Sequence, residues 1–187
     1  MGRERFRAGI VMRPLSFDGA EPVADINPAL KTPTDLARND TRSVADALNA
    51  SLADCFALYL KTKNFHWHVS GPHFRDYHLL MDDQAAQILG VTDAIAERVR
   101  KTGNTTLRSI GDITRRQSIV DNDRDFVSPE DMLSELRDDN LKLVERFREV
   151  KDAADEAKDN ATSGIVDEWT DQAEERAWFL FEASRKG

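Results

Sequence analysis

From about residue 40 onward, apolar side chains recur three and four positions apart, the period of a helix with one face turned toward a core. Val44, Leu48, Leu52, Cys55, Phe56, Tyr59 and Leu60 make the first stripe. The spacing predicts a helix that starts near Asn39-Asp40-Thr41, all suited to an N-cap, and runs to about Val69. Ser70-Gly71-Pro72 breaks it. A second helix is predicted from about His73 to Lys101, with Phe74, Tyr77, Leu80, Met81, Ile88, Val91, Ile95 and Val99 apolar and Gly103-Asn104 closing it. The stretch from Thr105 to Val127 is too long for a hairpin loop and predicts a short helix around Leu107 to Arg116. A third long helix has a clear start: Ser128, then Pro129 at the first helical position, then Asp131 three residues after Ser128. Its face carries Met132, Leu133, Leu136, Leu143, Val144, Phe147 and Val150. Asp159-Asn160-Ala161-Thr162 separates it from a fourth, where Ile165, Val166, Trp169, Ala173, Ala177, Leu180 and Phe181 repeat.

Composition sharpens this picture at the N-terminus. Four of the six prolines (Pro14, Pro22, Pro28 and Pro33) precede residue 40, so the rest of the chain is almost free of helix breakers. Residues 1–39 read as an extended arm without a sustained period, and residues 40–187 as one domain. The expected fold is all-α: a ferritin-like four-helix bundle with a short extra helix in the long connection between its second and third long helices. The arm's tip is locally basic through Arg3, Arg5, Arg7 and Arg13, whereas the whole chain carries a net charge of −8. That balance favours attraction of cations and argues against nucleic-acid binding by the body of the fold. Cys55 is the single cysteine, which excludes an internal disulfide and a zinc site built from several thiolates, and fits a reducing cytoplasm. Among Phe56, Leu58 and Tyr59 it reads as inert core. No apolar run is long enough to span a membrane, so no membrane partner is expected.

The candidate chemistry is confined to one region. All four histidines, His66, His68, His73 and His78, lie within 13 residues, and Asp82, Asp83, Asp93 and Glu97 follow on the second helix. His78 and Asp82 are four residues apart and share a face, as do Asp93 and Glu97. Eleven residues separate Asp82 from Asp93, which returns the helix to nearly the same stripe but about 16 Å farther along its axis. Ligands of one metal lie roughly 2 Å from it, so one helix cannot supply both halves of one site. Two antiparallel copies about a two-fold axis can, with His66 completing the histidine side. Two imidazoles and three carboxylates suit Fe(II), with Mn, Co or Zn as competitors. Each residue alone is equally a solvated helix face or a backbone-bonded histidine, and spacing leaves both readings open for the set.

At His66-Trp67-His68-Val69-Ser70-Gly71-Pro72-His73-Phe74, followed by His78, Asp82, Asp93 and Ala96-Glu97-Arg98, the sequence resembles the Dps family (DNA-binding protein from starved cells). The family pattern H-W-x-V-x-G-x-x-F, H-x-x-x-D and D-x-x-A-E-R is matched at every element, and the resemblance extends over about residues 40 to 184. It implies a dodecameric cage with a ferroxidase centre, where Fe(II) becomes Fe(III), shared across each dimer interface. His66, His78 and Asp82 would come from one subunit and Asp93 and Glu97 from its partner. Trp67 matches a tryptophan beside the site, with electron transfer and packing equally open as its role. Hydrogen peroxide is implied as oxidant, with oxygen as a second. Asp152, Asp155 and Asp159 fall where the family builds an acidic three-fold pore, or on a solvated helix face. His68 stands where the family usually has Asn and reads as surface; His73 matches no ligand position.

Three functions compete at this point. The first is iron oxidation and storage that protects DNA from oxidative damage, in the cytoplasm and in association with the nucleoid. The second is direct DNA binding and condensation through the basic arm, residues 1–38, where twelve weak contacts act together. The third is a purely structural four-helix assembly with a dead or zinc-occupied site. A conventional 24-subunit ferritin is disfavoured, because the chain has no E-x-x-H pair to hold metal inside one bundle.

Overall fold

The structure, a computed structural model, describes residues 26–185. The arginines at the arm's tip and the last two residues lie outside them. Among the described residues, five α-helices follow a 3₁₀ turn at Pro28–Leu30: α1 (Arg38–His68), α2 (Phe74–Lys101), α3 (Ile110–Arg116), α4 (Pro129–Glu156) and α5 (Asn160–Ala183). No strand occurs among the described residues, and the fold is the expected all-α bundle. The hairpins α1–α2 and α4–α5 pack together chiefly through α1 against α4, and α3 lies on α1.

Each element begins and ends for a local reason, and three boundaries differ from expectation. Helix α1 starts at Arg38 with Ala37 at the N-cap and no side-chain cap, rather than at Asn39-Asp40-Thr41. Thr41 is instead inside the first turn, its hydroxyl donating back to the Arg38 carbonyl at 3.0 Å. Helix α3 is shorter than predicted because Ser109 caps it, accepting from Asp112 N–H. The α4–α5 separator shrinks to a tight turn. Lys158, at φ +56°, takes the left-handed position, and the Lys158 and Asp159 N–H groups bond back to Asp155 and Ala154 carbonyls. Asp159 then caps α5 by accepting from Thr162 N–H at 3.0 Å, so Asn160, Ala161 and Thr162 are helical. Ser128 caps α4 as predicted, with Pro129 in its first turn.

The core runs the length of the bundle through Leu48, Leu52, Phe65, Met81, Ile88, Ile95, Leu133, Leu136, Leu143, Phe147 and Leu180, all fully buried or nearly so. Cys55 is buried among them, and burial pushes its thiol up to about 12, so the inert-core reading holds. Leu60, Phe74, Ile165 and Phe181, expected on core stripes, stand exposed. A single bundle covers only part of each helix's apolar circumference. The long α2–α4 connection is tied down by Asp54 of α1, which is fully buried. It accepts from Ser118 N–H at 2.5 Å, Ser118 Oγ at 2.8 Å, Ile119 N–H at 3.0 Å and Arg146 Nε at 3.2 Å.

Candidate metal centre

The tight turn at Ser70–His73, with Gly71 at φ +103°, brings the end of α1 against the start of α2. That places His66 beside His78. The two imidazoles stack with ring centroids 3.7 Å apart, and each ring holds the other's backbone. His66 Nδ1 donates to the His78 carbonyl at 2.8 Å, and His78 Nδ1 donates to the His66 carbonyl at 2.9 Å. The His66 carbonyl lies in the last turn of α1, where acceptors lack a helical partner, so His78 also satisfies an orphaned group. A carbonyl only accepts, so each Nδ1 carries a proton, and the neutral form of each ring has its lone pair on Nε2. A backbone carbonyl that fixes the tautomer in this way is the usual support for a metal-binding histidine.

Asp82, one turn beyond His78, completes this end. Its Oδ1 lies 3.8 Å from His66 Nε2 and is held at 2.7 Å by Lys63 Nζ. The Lys63 hydrogen bond, and behind it the Lys63 charge, hold the Asp82 carboxyl below the usual range against an opposing push from desolvation. Lys63 Nζ also sits 5.9 Å from the ring centroid of Trp67, which is 59% exposed. Sequence reasoning passed over Lys63. Its position three residues before His66, on the face turned toward Asp82, was the signal that could have found it.

Asp93 and Glu97 are far along α2, both exposed, with Glu97 paired to Lys101 at 3.0 Å. The described residues of one chain therefore bring His66, His78 and Asp82 together and leave Asp93 and Glu97 apart. No group of three or more His, Cys, Asp or Glu side chains among them is arranged to hold a metal. His68 is exposed, its Nδ1 bonded to the Asn64 carbonyl at 2.7 Å, and His73 is exposed at the N-cap of α2.

Residues 45–186 match the ferritin family model, described as a ferritin-like domain. A DNA protection during starvation protein of Agrobacterium fabrum is 33% identical over 150 residues, covering 80% of this chain and 93% of its own. One of Brevibacillus brevis is 32% identical over 137 residues, 73% of this chain and 91% of the relative. This chain belongs to the Dps family. The Dps crystal structure from Bacillus brevis superposes on this Dps protein with a TM-score of 0.76 at 29% identity, over 80% of this chain and all of that one. An archaeal Dps homologue from Halobacterium salinarum gives 0.79 at 26% identity, over 89% and 94%.

Of the three acidic residues matched to a family pore, Asp159 is turned into the fold and Asp155 is exposed. Asp159 is buried and bonded to Arg98 Nη2 at 2.5 Å and Thr162 Oγ1 at 2.5 Å, besides capping α5. Burial pushes its carboxyl up, and the Arg98 and Thr162 bonds with the Arg98 charge outweigh that and hold it low. Asp155 accepts from Ser163 Oγ at 2.6 Å, and Asp152 is exposed. No described helix is long and apolar enough to cross a membrane.

Proposed function

We propose that this Dps protein oxidises Fe(II) at ferroxidase centres shared between two subunits and stores the ferric product inside a homo-oligomeric cage of twelve chains. The reciprocal His66–His78 pair carries this reading. Two Nε2 lone pairs are held ready beside the Asp82 carboxylate, a mixed N/O donor set that suits Fe(II) and tolerates Fe(III). His66, His78 and Asp82 form one half-site, and Asp93 and Glu97 of a second copy supply the other. A two-fold axis through α2 makes two equivalent centres per dimer. The exposed Leu60, Trp67 and Phe74, around the turn between α1 and α2, belong to the surface such a dimer covers.

In the reaction each of two Fe(II) ions gives up one electron. Hydrogen peroxide takes both, its O–O bond breaks, and with two protons it leaves as two waters; oxygen is the slower alternative oxidant. The carboxylates offset the rising charge of the product iron, and the imidazoles hold the ions in place. Trp67, next to His66, either passes electrons or packs against the partner. The cytoplasm, beside the nucleoid, is the compartment this activity serves.

The test is Fe(II) oxidation by metal-free protein, with peroxide under anaerobic conditions and then with oxygen, beside an Asp93→Ala variant. Fast oxidation to a soluble ferric product, lost in the variant, supports the reading; rates equal to buffer for both proteins refute it. A second role, direct DNA binding through residues 1–38, is favoured by the arginines Arg3, Arg5, Arg7 and Arg13 at the arm's tip. A gel shift at low and moderate salt, with and without residues 1–20, checks it, since a contact of this kind weakens with salt and disappears with the arm.

A further inference from the structure

The interior of the bundle contains a polar layer that the iron chemistry does not use. One residue comes from each long helix: Cys55 of α1, Gln84 of α2, Asn140 of α4 and Arg176 of α5, each at most 4% exposed. Arg176 Nε donates to Asn140 Oδ1 at 2.8 Å, and Asn140 Nδ2 donates to the Leu136 carbonyl at 2.8 Å. Gln84 Nε2 donates to the Arg176 backbone carbonyl at 3.1 Å. Two buried atoms remain without a hydrogen-bond partner: Gln84 Oε1, an acceptor, and Arg176 Nη1, a donor. Packed interiors rarely leave such groups unpaired, and a lone buried guanidinium N–H is among the costlier omissions.

We infer that this layer is a binding site for internal water, seated between the α2 and α5 sides of the core and hydrogen-bonded to Arg176 Nη1 and Gln84 Oε1, directly or through a second water. The chemistry of the two groups selects the occupant. It must accept from a guanidinium N–H and donate to an amide oxygen, and water does both. A halide or oxyanion serves Arg176 and is repelled by Gln84 Oε1. A metal cation serves Gln84 and is repelled by the guanidinium charge. One buried water for about every 27 residues is ordinary for a protein interior, and such waters sit where polar groups lack protein partners. The layer therefore makes water a structural ligand that joins two hairpins of the bundle, independent of any iron chemistry at the surface.

A high-resolution crystal structure of the full-length wild-type protein, grown in chloride and measured with anomalous data, tests this without any variant. The expected result is a density peak about 2.7–3.2 Å from Arg176 Nη1, with no anomalous signal, linked to Gln84 Oε1. A dry layer, a direct Gln84–Arg176 side-chain bond, or an anomalous peak marking chloride would each overturn it. In solution, Gln84→Met, Arg176→Met and the double variant form a thermodynamic cycle. Gln84 Nε2 also bonds the Arg176 carbonyl directly, so strictly additive losses of Tm are the outcome that decides, and they count against the bridge.

Discussion

At the scale of single residues, the proposed centre depends on which nitrogen of each histidine is left free, and the backbone carbonyls across the α1–α2 turn decide that. Lys63 is the other deciding side chain, because it holds the Asp82 oxygen that faces His66. Lys63→Met is expected to strengthen Co(II) binding to the metal-free protein by up to about fivefold, the worth of one exposed ion pair, read by titration of the visible d–d bands. Asp54 has the opposite character: it is purely structural. Asp54→Ala leaves the Ser118 and Ile119 amides without their acceptor at about 1–3 kcal/mol each, so denaturant melts should show a loss of several kcal/mol. Asp159 sets an acid dependence. Its folded carboxyl is held low, so its contribution is complete above the ordinary carboxylate value of about 4 and fades as pH falls through the lower folded value. Thermal midpoints of Asp159→Asn should therefore fall less steeply than wild type below about pH 4.

At the scale of elements, the ends of helices do much to place the site. Helix α2 closes on Gly103 at φ +84°, with the Gly103 and Asn104 N–H groups bonded back to Arg100 and Val99 carbonyls. The last stretch of the arm crosses this end. Arg100 Nη2 donates to the Leu30 carbonyl at 2.7 Å, and a Cβ on Gly103 would meet the Thr32 carbonyl oxygen at 3.2 Å. Gly103→Ala is thus strained twice and should cost about 1–2 kcal/mol in a denaturant melt, more than the change would cost in an ordinary loop. The turn between α1 and α2 matters more for chemistry, because it sets the two histidines face to face.

At the scale of the whole molecule, the proposed centres exist only where two chains meet, and subunit mixing tests this directly. Asp82→Ala and Asp93→Ala proteins, unfolded together and reassembled, form heterodimers in which one centre carries both changes and the other neither. Random pairing restores about a quarter of the centres, so iron oxidation should return to about a quarter of wild type. If each chain held its own centre, the mixture would stay as inactive as its components. The buried Arg176 guanidinium also opposes a cation in the interior of a single bundle.

The helices, their order and the ferritin-like class were legible along the chain, because apolar periodicity and the Ser128-Pro129 and Gly103 signals are local. The sequence also identified His66, His78 and Asp82 as candidates by spacing, and the helical rise of about 1.5 Å per residue separated them from Asp93 and Glu97. Tertiary structure alone decided the rest. That His66 and His78 lock each other's tautomer depends on two helix ends meeting, as does the hold of Lys63 on Asp82. Asp159 belongs to Arg98 and the α5 cap rather than to an open acidic face, since a partner 61 residues away leaves no mark on local spacing. The exposed Leu60 and Phe74 follow the same rule: periodicity shows that a face is apolar, and only the packed bundle shows that none of the described residues covers it.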